Sequence, residues 1–219
     1  MVSRAEAVQR FVDLYSAPAY LEIGVSQGET FNEIRATRKV AVDPQFLFDT
    51  KAFTAGQAEF HEVQSDVYFG QIIGADEQFH VIYLDGLHTF EQTLRDLLNA
   101  IAHLAPHGVI VVDDTVPTSY EASIPGLGFF HAVREVAAVK DANWMGDVYR
   151  LVFFIQTFMQ QFSYATIEEN HGQTVLWREP RPSERIVPRD MEAITRLEYG
   201  HVLLESKTFE RRPLAEIVD

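Results

Sequence analysis

Val81–Asp114 reads VIYLDGLHTFEQTLRDLLNAIAHLAPHGVIVVDD. Its first four residues form an apolar run that stops at Asp85 and Gly86, with His88 three positions after the acid. The period then changes from strand to helix. Phe90, Leu94, Leu97, Leu98, Ile101 and Leu104 fall on one helical face. "APHG" closes that helix, with Gly108 expected as its left-handed end. "VIVVDD" is a continuous apolar strand of the kind buried on both faces, and it stops on two acids. Strand, helix and strand in this order predict a parallel crossover.

The same alternation extends towards the N-terminus. "AYLEIGV" (19–25) is a strand followed by a glycine-containing turn and an expected helical stretch. "KVAVDP" (39–44) is a strand stopped by proline, and "AEFHEVQS" (58–65) is a third. Together with "FHVIYLD" (79–85) and "VIVVDD" they predict an α/β fold with a doubly wound, mostly parallel sheet. Further on, "GFFHAVREVAAV" reads as a helix. "FSYATIEENHGQTVLWRE" reads as an antiparallel hairpin turning at residues 170–172, which brings the count to seven strands. "EPRPSERIVPRD" then connects to "MEAITRLEYGHVLLES", a helix expected to be interrupted or to end near Gly200. This divides the chain into a domain over 1–180 and an extension over 181–219. The extension packs on the domain, covers the site or, through Leu197, Val202 and Leu203, joins a homodimer.

The chain has 219 residues, 47 % of them hydrophobic, enough for a sizeable core. Its net charge of -14 and scattered basic residues, with Arg38-Lys39 and Arg211-Arg212 the closest pairs, speak against nucleic acid as partner. It has no cysteine, which removes disulfides, thiolate catalysis and cysteine-based zinc sites. "MVSRAEAVQRFVDLY" is an amphipathic helix without the apolar core of a signal peptide. "LVFFIQTFM", the most apolar run, is too short to span a membrane. A cytoplasmic protein with no membrane partner is the expectation.

Three groups of polar residues sit at strand ends, where open α/β sheets bind ligands. Glu22, Gly24 and Gly28 form acid-x-Gly-x-x-x-Gly, a turn that brings backbone close to a ligand or simply joins strand to helix. The Gly-x-Gly-x-x-Gly pattern of nicotinamide-binding turns is absent, Ser26 standing where its second glycine would be. Asp43 closes the second strand, where an acid accepts hydrogen bonds from ribose hydroxyls or initiates a turn. Ser65 and Asp66 follow the third strand, placed to contact an adenine. The last group is Asp85 and His88 with Asp113 and Asp114. Carboxylates that converge raise each other's pKa unless a cation neutralises them. Oxygen ligands with at most one imidazole suit Mg²⁺ or Mn²⁺ rather than zinc. Capping and turn formation are the alternative roles for these acids. His61, His80, His103, His107, His131, His171 and His201 have no comparable setting and read as structural or solvent-facing.

With these residues assembled, Ala19–Asp114 resembles the class I S-adenosylmethionine-dependent methyltransferases, and the late hairpin fits their closing strands. "LEIGVSQG" is similar to their first motif, and Asp43 matches their ribose-binding acid. "YLDGLHTFEQ…VIVVDD" resembles the methyltransferase-24 family, as does "NWMGDVYRLVFF". The resemblance implies an S-adenosylmethionine site at Glu22, Gly24, Gly28, Asp43, Ser65, Asp66 and Asp85. By similarity to catechol-type and sugar O-methyltransferases, it also implies a divalent metal on Asp85, Asp113 and Asp114. Catechol-type enzymes carry a catalytic lysine where this chain has His88, so His88 with Asp85 takes the candidate catalytic role. The expected reaction is methylation of a small hydroxylated acceptor (sugar, glycan or phenol-like). A non-catalytic S-adenosylmethionine-binding protein and a nicotinamide oxidoreductase are the alternatives. "TVPTSYEASIPGLGFFHAV" (115–133) is expected to be a mobile flap, with Tyr120 and His131 touching the acceptor.

Overall fold

The structure, a computed structural model, describes residues 1–53, 56–140, 142–170 and 172–219. His171, in the expected hairpin turn, lies outside the described residues. Eight strands form one sheet: β1 Ala19–Ile23, β2 Arg38–Asp43, β3 Glu59–Glu62, β4 Phe79–Leu84, β5 Leu104–Val112, β6 Ser163–Ile167, β7 Thr174–Trp177 and β8 Arg211–Arg212. Their order is 3-2-1-4-5-7-6-8. β1 to β5 pair in parallel, and β7 runs antiparallel between β5 and β6. The helices used below are α1 Arg4–Val12, α2 Phe90–Ala102, α3 Leu127–Ala137, α4 Arg150–Phe158, α5 Met191–Thr195, α6 Tyr199–Leu204 and α7 Leu214–Val218.

Side-chain alternation along the strands divides the interior into two cores, as a doubly wound sheet requires. Leu21, Ile23, Val40, Val42, Ile82, Leu84, Ile110 and Val112 face the first, against Leu97 of α2 and Val152 of α4. Tyr20, Ala41, Val81, Tyr83, Val109 and Val111 face the second, against Val8 and Phe11 of α1. This parity matters at the carboxyl ends, because Asp113 continues the row of Val109 and Val111 and so turns towards α1.

Several details differ from the sequence expectations. The sheet has an eighth strand: two residues of the C-terminal extension pair in parallel with Thr166 and Ile167, a pairing too short to leave a period. No α-helix joins β1 to β2; residues 24–37 form successive turns that bury Phe31 and Ile34. β5 begins at Leu104, so "APHG" belongs to the strand, and the left-handed residue is His107 (φ +61°) rather than Gly108. Gly108 is required by crowding, since a Cβ there would lie 2.9 Å from the His80 carbonyl oxygen. Gly200 sits inside α6, and the helical break falls at residues 196–198. Leu197 and Val202 are buried in the chain's own core, leaving Leu203 exposed. No helix among the described residues is long and apolar enough to cross a membrane.

Candidate functional site

β1 and β4 are neighbours whose outgoing connections leave on opposite sides, which opens a crevice at their carboxyl ends. A cavity of about 680 Å³ occupies it. Glu22, Gly24, Ser26, Asp43, Ser65, Asp66, Asp85, His88, Gln92 and Arg4 all line it. Gly28 does not. Its φ of +75° and a Cβ position 2.7 Å from the Asn32 amide nitrogen make it a turn residue. Tyr120 and His131 are also absent from the lining; both are exposed, on the segment after β5.

Gly24 is fixed by the protein itself. Its φ is +85°, and a Cβ would stand 2.0 Å from the Asp85 carbonyl oxygen, so the ends of β1 and β4 touch only because no side chain intervenes. Asp43 accepts hydrogen bonds from the Ser26 N–H at 2.8 Å and the Gln45 N–H at 2.7 Å. Each carboxylate oxygen keeps a further lone pair for a ligand hydroxyl. Across the cavity, the Gln92 side-chain amide lies 3.2 Å from Ser65 Oγ, 3.2 Å from an Asp66 oxygen and 3.1 Å from an Asp96 oxygen. Gln92 and buried Asp96 come from the first turns of α2, and only their spacing within that helix hints at a role.

Glu22 is buried on the α1 side, where the Tyr20 hydroxyl donates to it. Burial pushes its carboxyl up to about 8, assisted by Asp85 and opposed by the Tyr20 hydrogen bond and Lys39. Burial brings the Lys39 ammonium down to about 8, against the pull of Glu22.

At the other end Asp85, His88 and Asp114 each present one ligand atom within a 4.8 Å span. His88 Nε2 is 3.4 Å from Asp85 Oδ1, and Nδ1 is 3.0 Å from Asp114 Oδ2. Burial works against the imidazolium. The Asp85 hydrogen bond, the Asp114 and Asp85 charges and the Trp144 carbonyl outweigh it and raise His88 to about 9. Asp114 reaches this corner through a left-handed backbone (φ +57°), tolerable for an Asp. Burial raises its carboxyl to about 6, with Asp85 adding and His88 and Arg4 opposing.

Asp113 is placed differently from the sequence expectation. Following strand parity, it accepts the Tyr83 hydroxyl at 2.6 Å and lies 2.5 Å from Arg4 Nε. The compact group is therefore Asp85, His88 and Asp114, with Asp113 behind it. Burial and the neighbouring acids push Asp113 well above the usual carboxylate range, against Arg4 and Tyr83.

The segment "NWMGDVYR" (143–150) explains how His88 is held. The Trp144 ring stacks on the imidazole (centroids 5.0 Å apart), and its carbonyl lies 2.7 Å from Nδ1. Gly146 passes so close that a Cβ would meet the His88 carbonyl oxygen at 1.7 Å. Asp147 accepts the Phe90 N–H at 2.8 Å, satisfying a free amide at the start of α2. The middle of the 115–133 segment is tied to the same strip: Trp144 Nε1 donates to the Ile124 carbonyl at 2.8 Å.

Residues 21–115 match a sequence family described as methyltransferase domain, family 24. No curated protein matches the sequence. Solved structures with this fold include a candidate caffeoyl-CoA O-methyltransferase from Staphylococcus aureus, 11 % identical over 81 % of this chain and 85 % of that one (TM-score 0.54). An O-methyltransferase from Bacillus cereus in complex with SAH is 16 % identical over 80 % and 81 % (TM-score 0.50). The MycE methyltransferase of the mycinamycin biosynthetic pathway, in complex with Mg and SAH, is 14 % identical over 85 % of this chain and 52 % of that one (TM-score 0.51). The matched segment runs from β1 to the residue after Asp114 and so spans every strand end that lines the cavity. From β1 to the residue after Asp114 the chain is similar to the methyltransferase-24 family, and its strand order is that of the Rossmann-like methyltransferase fold.

Proposed function

We propose that the protein transfers the methyl group of S-adenosylmethionine to a hydroxyl of a small acceptor, a sugar, glycan or phenol-like compound. The acceptor meets the cofactor at the Asp85–His88–Asp114 corner. The observation that carries this reading is one continuous cavity with a ribose-type acid and an amide cluster at one end and an acid–imidazole group at the other. In-line displacement forms the O–CH₃ bond as the S–CH₃ bond breaks, and the hydroxyl proton leaves to the protein or to water. Most of the acceleration comes from holding two reactants in line.

Asp85 orients the cofactor and His88 at once, because it touches Gly24 through its backbone and the imidazole through its side chain. His88 takes the proton in its neutral form, the minor form below about pH 9, while Trp144, Asp85 and Asp114 hold the ring in place. The donor set also fits a hard divalent ion. It is rich in carboxylates, and a buried oxygen, Asp113 Oδ1, accepts no hydrogen bond. Asp85 and Asp114, with Asp113 behind them, would hold the ion. When bound, it would acidify and orient the acceptor hydroxyl. The magnesium in the MycE complex supports this part of the reading.

The test is transfer of labelled methyl to a panel of sugars, glycans and phenols, with Mg²⁺, Mn²⁺ or chelator present. Metal-stimulated transfer that disappears in Asp85→Asn is the expected result. Cofactor binding without transfer to any acceptor would point instead to a non-catalytic binding protein, and turnover indifferent to chelator would remove the metal.

A further inference from the structure

The acidic corner already contains a cation from the chain itself. Arg4 is the first residue of α1, whose start is capped by Ser3 Oγ accepting the Glu6 N–H at 3.1 Å. The helix is seated on the sheet by Ala7, Val8, Phe11 and Val12. Its guanidinium lies between the two acids that close β5, with Nε 2.5 Å from Asp113 Oδ2 and Nη2 3.5 Å from Asp114 Oδ1.

We propose that Arg4 is a tethered cation that competes with a divalent ion for Asp113 and Asp114, so that metal enters only when the guanidinium swings out. The inference rests on the divalent-ion part of the function proposed above. Three features of the contact argue for competition. Arg4 makes one approach to each carboxylate and no two-point fork, so it contributes charge more than a specific hydrogen-bonded geometry. Asp113 Oδ1 is left without a hydrogen bond although the residue is 98 % buried, and Asp114 Oδ2 meets only the His88 imidazole at 3.0 Å, which is capacity that Arg4 does not use. The Arg4 side chain is 34 % exposed and lines the cavity, so it has a path out that leaves the apolar seat of α1 in place. A site open for only a fraction of the time binds its ligand more weakly by that fraction.

Mn²⁺ binding, read from the paramagnetic resonance signal of the free ion, tests this without reference to turnover. The proteins are the full-length chain, Arg4→Gln, and Arg4→Gln combined with Asp114→Asn, each checked for folding by circular dichroism. Arg4→Met, which keeps the aliphatic stem, replaces Arg4→Gln should the latter not fold. Removing the guanidinium is expected to tighten Mn²⁺ binding by roughly ten- to a hundredfold, and Asp114→Asn to abolish that gain. Equal affinity in the unaltered chain and in Arg4→Gln would overturn the competition while leaving the divalent-ion reading intact. Weaker binding in Arg4→Gln would make Arg4 a support for the metal and also overturn it. No Mn²⁺ binding in any form would remove the divalent-ion reading and the competition with it.

Discussion

At the Asp43 end of the cavity the polar contacts come mostly from backbone amides and from side chains one or two strand ends away. At the Asp85 end the partners arrive from residues 4, 88, 114 and 144, which belong to four distant parts of the chain. The first end places few charges near one another. The second gathers two buried carboxylates and the half-buried Asp85 beside an imidazole and a guanidinium, a cluster in which each acid has a cationic or imidazole neighbour. The contrast suits a division of labour. In the proposed function, a cofactor common to many enzymes would be met by a turn and an acid, whereas chemistry on an acceptor would need groups set from several directions.

The largest effect should come where the two ends join. Gly24→Ala puts a Cβ 2.0 Å from the Asp85 carbonyl oxygen at a φ of +85°. Loss of folded protein or of all S-adenosylmethionine binding is expected, read by near-ultraviolet circular dichroism and titration; wild-type affinity would show that the strand ends can part.

Next in size is the pH dependence of stability set beneath the cavity. Glu22, raised to about 8, keeps in the folded state a proton that the unfolded chain releases above its ordinary value near 4.5. Its contribution is therefore complete in acid and is lost as pH rises towards 8. Lys39, lowered to about 8, acts in the opposite sense, and stability recovers from pH 8 towards its ordinary 10.5. Denaturant unfolding across pH should show a minimum near 8. Glu22→Gln should reduce the acid-side slope by roughly 2–4 kcal/mol between the extremes, the remainder belonging to Asp113, Asp114 and His88. An unchanged slope in that variant would assign the effect elsewhere.

Asp43→Asn should then weaken S-adenosylmethionine by roughly tenfold, the worth of charged hydrogen bonds to a ligand. Trp144→Ala should do the reverse at the other end. It should lower turnover about tenfold through a loosened His88 while changing cofactor affinity less than about twofold. Equal losses in both parameters for both variants would erase the distinction between the two ends.

The same difference explains what the sequence could disclose. Gly24, Asp43, Ser65, Asp66 and Asp85 are strand-end residues, and a strand's end shows locally in the shift from apolar to polar residues. Gly28 stands beside them in the sequence but turns away, because the chain makes successive turns there instead of a helix. Asp113 was visible as an acid, but its partner Arg4 lies 109 positions earlier on an amphipathic helix, where nothing separates it from a surface arginine. "NWMGDVYR" could be seen as a family-like stretch, yet its work depends on Trp144 and Gly146 meeting His88 across the fold. The two-residue eighth strand was likewise below the length at which alternation is readable.

The most direct measurement is calorimetric titration of the purified protein with S-adenosylmethionine, alongside NADH. Binding of S-adenosylmethionine alone, weakened by Asp43→Asn, is the expected result. Binding of NADH alone, or of neither, would contradict the assignment of the cavity.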